Sequence, residues 1–332
     1  MKSETNASSS WKNLIYTVLI LLVVVLALSF PAAFVEIGGF PLKKLIIPLL
    51  QIIMLGMGTT MSISDFDQVT KTPKAVIIGV ICHFIIMPAL GFTLANVFSF
   101  PPEIAAGVVL IGCSPSGLAS NVMCFIAKAN VPLSITVTSI STLLAPFVTP
   151  ALMKLLAGQL IEIDFLKMVV EIMQIIILPV ALGLVLNRVF RKSAVMLNRV
   201  MPLISMGGIV LIVGIITAAG RESLLTVGWT LALCVLIHNL CGFLLGYWSG
   251  RIFGLDEQSC RTVSIEVGLQ NGGLASGIAL QMGKVATVGL APALFGPIMN
   301  MTGSLLATYW SQRPPKEVAV SEPVVTPERK AV

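Results

Sequence analysis

Between Thr262 and Ser276 an apolar sequence is interrupted by one carboxylate, Glu266, by the amides Gln270 and Asn271, and by glycines at 268, 272 and 273. A carboxylate inside a membrane span costs at least about 2.5 kcal/mol, so it is kept where it faces a cavity, a cation or a polar partner. Glycines beside it let the helix unwind. The freed carbonyls can then hold a cation, while the N-terminus of the next half-helix directs positive dipole at an anion. Glu266 is thus the first candidate to bind a cation or relay a proton, the alternative being a structural partner for His83 or Gln174. A second interruption, Ser114-Pro-Ser-Gly117, precedes Ser120 and Asn121. Downstream, Ser134, Thr138, Ser141 and Thr142 recur at three- and four-residue steps, on one face of a helix. Ser120, Asn121, Ser134 and Thr138 could complete an oxygen cage with Glu266, and an all-oxygen set favours sodium over a transition metal.

The chain that must position these groups has 332 residues, 56% hydrophobic and 11% charged. Ordinary soluble domains carry about a quarter charged residues, so this is an all-α integral membrane protein with the lipid bilayer as its partner. The net charge of +6 does not point to nucleic acid, because the basic residues sit between apolar runs where they set orientation. Six cysteines without a C-x-x-C pair read as small packing residues; Cys113 alone is a candidate to line a cavity.

Apolar runs predict ten spans: 14–34, 45–61, 75–98, 103–127, 131–156, 165–190, 200–219, 225–252, 259–282 and 285–310. The fourth breaks at 114–117, since proline and glycine interrupt helix most strongly. Lys167 and Glu171 have the spacing of a helical ion pair. A signal peptide competes for the first run, but that run exceeds the usual apolar core of such a leader. Residues 1–12 form a polar N-terminus, and the proline- and charge-rich 312–332 reads as a disordered tail. Fifteen of the 21 lysines and arginines fall in the termini and in or at the edges of loops 2–3, 4–5, 6–7 and 8–9, which puts both termini in the cytoplasm.

The chain also repeats itself. Gly117-Leu-Ala-Ser120 recurs as Gly273-Leu-Ala-Ser276, His83 pairs with His238 and Gly91 with Gly246 at an offset of 155, and Pro48-Leu49 pairs with Pro202-Leu203. Two repeats of five helices, 13–156 and 157–311, would lie inverted in the membrane, with a binding site where the matching breaks meet.

The stretches Ile265 to Asn271, Gly117 to Met123 and Gly303 to Trp310 resemble the bile acid:sodium symporter family, and the resemblance extends over about residues 11–310. It implies a panel domain of helices 1, 2, 6 and 7, a core domain of the others, and broken helices 4 and 9 that cross. It also implies two sodium ions. The first site would use Ser120, Asn121, Ser134, Thr138 and Glu266; the second would use Glu266, Gln270, the carbonyls of Val267 and Leu269, and His83. Similar bacterial members often carry glutamine at position 83 and threonine at 118, where this chain has His83 and Leu118, so pH dependence is expected at the second site. An organic anion would bind at the half-helix N-termini around Gly117, Leu118, Asn271 and Gly272, with Asn300 as a further contact.

These residues and the resemblance together lead us to expect a sodium-coupled symporter, a monomer in the bacterial inner membrane, carrying a bile acid or a small carboxylate such as pantoate or ketopantoate by alternating access. Proton coupling through Glu266 or His83 is the nearest alternative. A sensor or channel would bind the ligand without coupling. An intramembrane serine protease pairing Ser114 or Ser116 with His238 would be an enzyme, but the G-x-S-G context is missing.

Overall fold

The computed structural model describes residues 18–62, 67–189 and 191–315, so residues 14–17 of the first expected span and the tail from 316 lie outside them. The main helices are α1 (Val18–Ser29), α2 (Ile46–Thr60), α3 (Pro73–Val97), α4 (Pro102–Cys113), α5 (Ala119–Ile126) and α6 (Val131–Ala157). After them come α7 (Phe165–Val189), α8 (Arg191–Ala219), α9 (Arg221–Ile252), α10 (Glu257–Gly268), α11 (Gly272–Gln281) and α12 (Leu290–Ser311). Six of these stretches, at α2, α3, α6, α7, α9 and α12, are long and apolar enough to cross a membrane. Strand is confined, among the described residues, to a ribbon pairing Glu36–Ile37 with Phe40–Pro41. Its turn needs Gly38 and Gly39, at φ 57° and 81°, values that side-chain-bearing residues rarely adopt.

Local sequence explains most helix starts. Pro73 opens α3 and Pro102 opens α4, where a missing N–H costs nothing. The side chains of Asn130, Asp164, Asp256 and Asn271 accept from backbone amides in the first turns of α6, α7, α10 and α11. Two ends differ from the sequence expectation. The last helix begins at Leu290, not 285, because Lys284–Gly289 turns back to place Lys284 Nζ and, at 2.6 Å, Thr287 Oγ1 on the Glu103 carboxylate. Helix α8 starts at Arg191 rather than 200; hydropathy drops at the charged residues, but the helix runs through them.

Small residues set the packing. A Cβ on Gly58 would lie 2.2 Å from the Val180 carbonyl, and one on Gly183 would lie 2.4 Å from that of Leu55, so α2 and α7 approach backbone to backbone. Such contacts drive association where lipid is as apolar as the side chains. Helix α8 packs on α2, and α1 meets α8 through Ile20 and Val213. Within α7 a π turn at Met173–Ile177 brings the Gln174 carbonyl 3.4 Å from Gln51 Nε2. The other helices gather round the two interruptions: α3 packs on α4, α6, α9 and α10, and α12 on α9 and α4. Lys167 and Glu171 form the expected i,i+4 pair at 3.9 Å.

Candidate functional site: two unwound segments and a caged carboxylate

Residues 114–118 and 269–271 leave helical geometry and meet. Gly117 N donates to Leu269 O at 3.1 Å and Asn271 N to Pro115 O at 2.8 Å, an antiparallel bridge between Ser116 and Gln270. Ser116 Oγ adds a bond to Leu269 O at 3.2 Å. Glycine is required at 117, where a Cβ would stand 2.7 Å from the Gln270 carbonyl oxygen.

Unwinding exposes carbonyls that hydrocarbon cannot solvate, so each needs a donor from elsewhere in the bundle. At the end of α4, Thr149 Oγ1 donates to Cys113 O at 2.8 Å and Ser114 Oγ to Leu110 O at 2.9 Å. At the end of α10, Gln270 Nε2 donates to Val267 O and Asn239 Nδ2 to Gly268 O, both at 2.8 Å. His83 lies between both ends, and the single N–H of a neutral ring donates to one of the two carbonyls. Its Nδ1 lies 2.9 Å from Glu266 O and its Nε2 2.9 Å from Ser114 O.

The Glu266 side chain is fully buried. Ser134 Oγ donates to one carboxylate oxygen, and Thr138 Oγ1 donates to the other at 2.9 Å. Asn121 Oδ1 stands 2.8 Å from Ser134 Oγ, and Ser120 Oγ 3.1 Å from Thr138 Oγ1. Thus α5, α6 and α10 bring together the five expected oxygen-bearing side chains: Ser120, Asn121, Ser134, Thr138 and Glu266. The set has one negative charge and no sulfur or imidazole nitrogen, which suits a hard monovalent cation. Gln270, on the unwound segment after Glu266, has its Oε1 buried without a hydrogen-bond partner. The Val267 carbonyl accepts one bond, from Gln270 Nε2, which leaves its second lone pair open, whereas the Leu269 carbonyl accepts two, from Gly117 N and Ser116 Oγ.

Of the residues expected to touch an anion, Gly117, Leu118, Asn271 and Gly272 lie at the starts of α5 and α11. Asn271 caps α11, its Oδ1 accepting from Leu274 N at 3.0 Å. Gly272 leaves room for α12, with a Cβ there 3.1 Å from Pro292 O, and a Cβ on Gly273 would meet Leu50 of α2 at 3.1 Å. Leu118 is half-buried at the start of α5. Asn300 turns its amide back to Gly296 O at 2.7 Å along α12. His238 lies apart from the site, with Nε2 2.9 Å from Met87 O and its ring edge-on to Phe295. Neither Ser114 nor Ser116 bonds to it, each hydroxyl being committed to a backbone carbonyl. Cys113 is buried at the end of α4.

Asn239 was not among the expected residues. Its carbonyl oxygen accepts from Thr302 while its amide caps Gly268, joining α9, α10 and α12 at the break. One polar residue in a long apolar helix is the only signal it leaves in sequence. Replacing Asn239 by Leu is expected to lower stability by about 1–3 kcal/mol, because it strands a buried acceptor. Thermal denaturation in detergent measures this, and an unchanged midpoint would remove Asn239 from the capping role.

Broken helices meeting inside an apolar bundle, beside a buried carboxylate caged by oxygens, define an ion-coupled membrane transporter. The chain belongs to the Sodium Bile acid symporter family, whose model matches residues 47–227. It is 42% identical over 299 residues to the "Uncharacterized sodium-dependent transporter YocS" of Bacillus subtilis (strain 168), covering 90% of this chain and 91% of that one. With the "Probable sodium/metabolite cotransporter BASS1, chloroplastic" of Arabidopsis thaliana it shares 35% identity over 269 residues, 81% of this chain and 67% of the relative. Among solved structures, the sodium proton antiporter MjNhaP1 of Methanocaldococcus jannaschii superposes with a TM-score of 0.51 at 13% identity, over 94% of this chain and 99% of that one, a likeness of fold. The protein is a multi-pass membrane transporter of a sodium-dependent family, and the protease reading falls.

Proposed function

We propose that this protein is a sodium-coupled symporter of an organic anion, a bile acid or a small carboxylate of the pantoate or ketopantoate type, working by alternating access. The observation that carries the reading is the closed set of oxygens on Glu266 next to the paired breaks. In this reading Ser120, Asn121, Ser134, Thr138 and Glu266 hold one sodium ion. A second sits against Glu266, Gln270, the carbonyls of Val267 and Leu269, and His83. Positive charge there favours an anion at Gly117, Leu118, Asn271 and Gly272, with Asn300 beside it, where helix N-termini already direct their dipoles.

The wider architecture of this proposal is ten spans in two inverted five-helix repeats, 13–156 and 157–311. A panel of α1, α2, α7 and α8 faces a core of the remaining helices, in accord with how they pack. The protein would act as a monomer in the bacterial inner membrane, with 1–12 and 312–332 in the cytoplasm. Uptake of labelled taurocholate and labelled pantoate into proteoliposomes tests it. Accumulation of one of them on an inward sodium gradient, and none with potassium, is the expected result; accumulation on a proton gradient alone would reverse the choice of coupling ion.

His83 gives a second test. Sodium prefers oxygen to nitrogen, so His83→Gln, which offers an amide oxygen, is expected to tighten the second site. The sodium concentration that half-saturates uptake should fall, and the steepness of the sodium dependence should be kept or increased. An unaltered half-saturating sodium concentration would separate His83 from ion binding.

A further inference from the structure

On the outer face of the bundle a groove of about 330 Å³ runs between α9 and α12, partly open to the surroundings. Its walls are two helical strips: Leu240, Leu244 and Tyr247 on α9, and Thr302, Leu306 and Trp310 on α12. The hydroxyls in it are already spent. Ser264 Oγ donates to Phe243 O, and Thr302 Oγ1 to Asn239 and to Ile298 O, which leaves an apolar surface. Leu240 and Leu244 are 48% and 56% exposed, far more than a side chain held in a closed core.

Each strip ends in an arginine. Continuing the same helical spacing leads from Tyr247 to Arg251, and from Trp310 to Arg313 just past the end of α12. Arg251 is half-exposed and only 3.6 Å from Glu257; Arg313 is exposed, with its guanidinium 4.0 Å over the Tyr309 ring. Two carboxylates also stand at this mouth, and Glu257 pairs with both Arg251 and Arg261. Glu257 accepts from Arg261 Nε and Tyr247 OH, each at 2.8 Å, and Asp256 from Ser259 N and Oγ. Buried Arg261 also donates to Trp310 O and Arg313 O, which quenches the negative end of α12. Three arginines (Arg251, Arg261 and Arg313) against two carboxylates (Asp256 and Glu257) leave one net positive charge at this mouth, and Arg313 presents it outward, ringed by Tyr247, Trp248, Tyr309 and Trp310, residues typical of the membrane interface.

We infer that this groove binds an anionic phospholipid, with an acyl chain between α9 and α12 and the phosphate between Arg251 and Arg313. An apolar slot alone would take any lipid, but basic pockets between spanning helices select acidic headgroups. The site is separate from the transport site, though Ser264 on its floor is two residues from Glu266.

Native mass spectrometry of the full chain, purified with equal phosphatidylglycerol and phosphatidylcholine, tests the assignment. The wild type should retain phosphatidylglycerol in preference. The R251Q/R313Q protein should lose that preference, by about fivefold for each arginine removed, and R251K/R313K should keep most of it. Leu244→Trp, which fills the slot, should release both lipids, whereas inorganic phosphate should release neither. Equal retention of the two lipids by the wild type, or undiminished preference in R251Q/R313Q with thermal stability intact, would overturn the site. So would displacement by free phosphate, which would mark an anion site without an acyl chain.

Discussion

Glu266→Gln is expected to abolish sodium-driven uptake while leaving a folded protein. The carboxylate is fully buried and receives hydroxyls from Ser134 and Thr138, and both can be redirected, Ser134 toward Asn121 Oδ1 at 2.8 Å. Glutamine keeps the volume and loses the charge, which is the one contribution that neutral oxygens cannot make to holding a sodium ion. Removing one partner of a buried charge pair costs about 3–5 kcal/mol, so sodium affinity should fall at least about a hundredfold. Two measurements read this. Sodium in place of potassium should raise the thermal midpoint of the wild type, by the stabilisation any ligand gives the state it binds, and should leave the variant unmoved. Uptake by the variant should equal the sodium-free background. A variant still stabilised by sodium and still accumulating substrate would place the ion elsewhere.

Gly117→Val should be nearly as damaging for a different reason. The Cβ would sit 2.7 Å from the Gln270 carbonyl, and both partners are backbone, with no flexible side chain to move aside. The bridge must open, giving up the bonds from Gly117 N and Asn271 N. Overpacking of this kind costs about 1–3 kcal/mol, and the N-termini of α5 and α11 lose their relative placement. Uptake is expected to fall by more than about tenfold, the equivalent of roughly 1.4 kcal/mol. Sodium-dependent stabilisation should persist in part, since the cage on α5, α6 and α10 does not include Gly117. Gly207→Ala is the control, because a Cβ there meets nothing within 4 Å. Equal uptake by Gly117→Val and Gly207→Ala would dispose of the close-contact argument.

How far each feature can be read from sequence depends on the range of the interaction behind it. Both breaks are legible because their causes are local: Pro115 and Gly117 in one, Gly268 and Gly272 in the other. The hydroxyl stripe of α6 is legible from helical spacing, and Glu266 stands out as a charge among apolar residues. The meeting of Ser120, Asn121, Ser134, Thr138 and Glu266 can be expected from chemistry but not placed, since no spacing tells which face of α6 looks at α10. Asn239 and Thr149 escape notice because each caps a carbonyl on another helix, and a lone polar residue does not announce its partner. The buried Arg261 reads in sequence as a loop charge that sets orientation. It instead reaches Ala127 O, Trp310 O and Arg313 O, groups contributed by distant points of the chain.

The bridge between the two breaks also bears on how the protein is made. The Pro115 carbonyl and the Gly117 amide find their hydrogen-bond partners at 271 and 269, and His83 completes its contacts at Glu266. At about 5–20 residues per second the ribosome delivers the second segment roughly ten to thirty seconds after the first. During that interval the Pro115 carbonyl and the Gly117 amide are in the bilayer without the partners that they have in the finished protein. The N-terminal half is thus obliged to wait, unwound and needing either water or an insertion chaperone, and the two halves become a finished protein in a single late step.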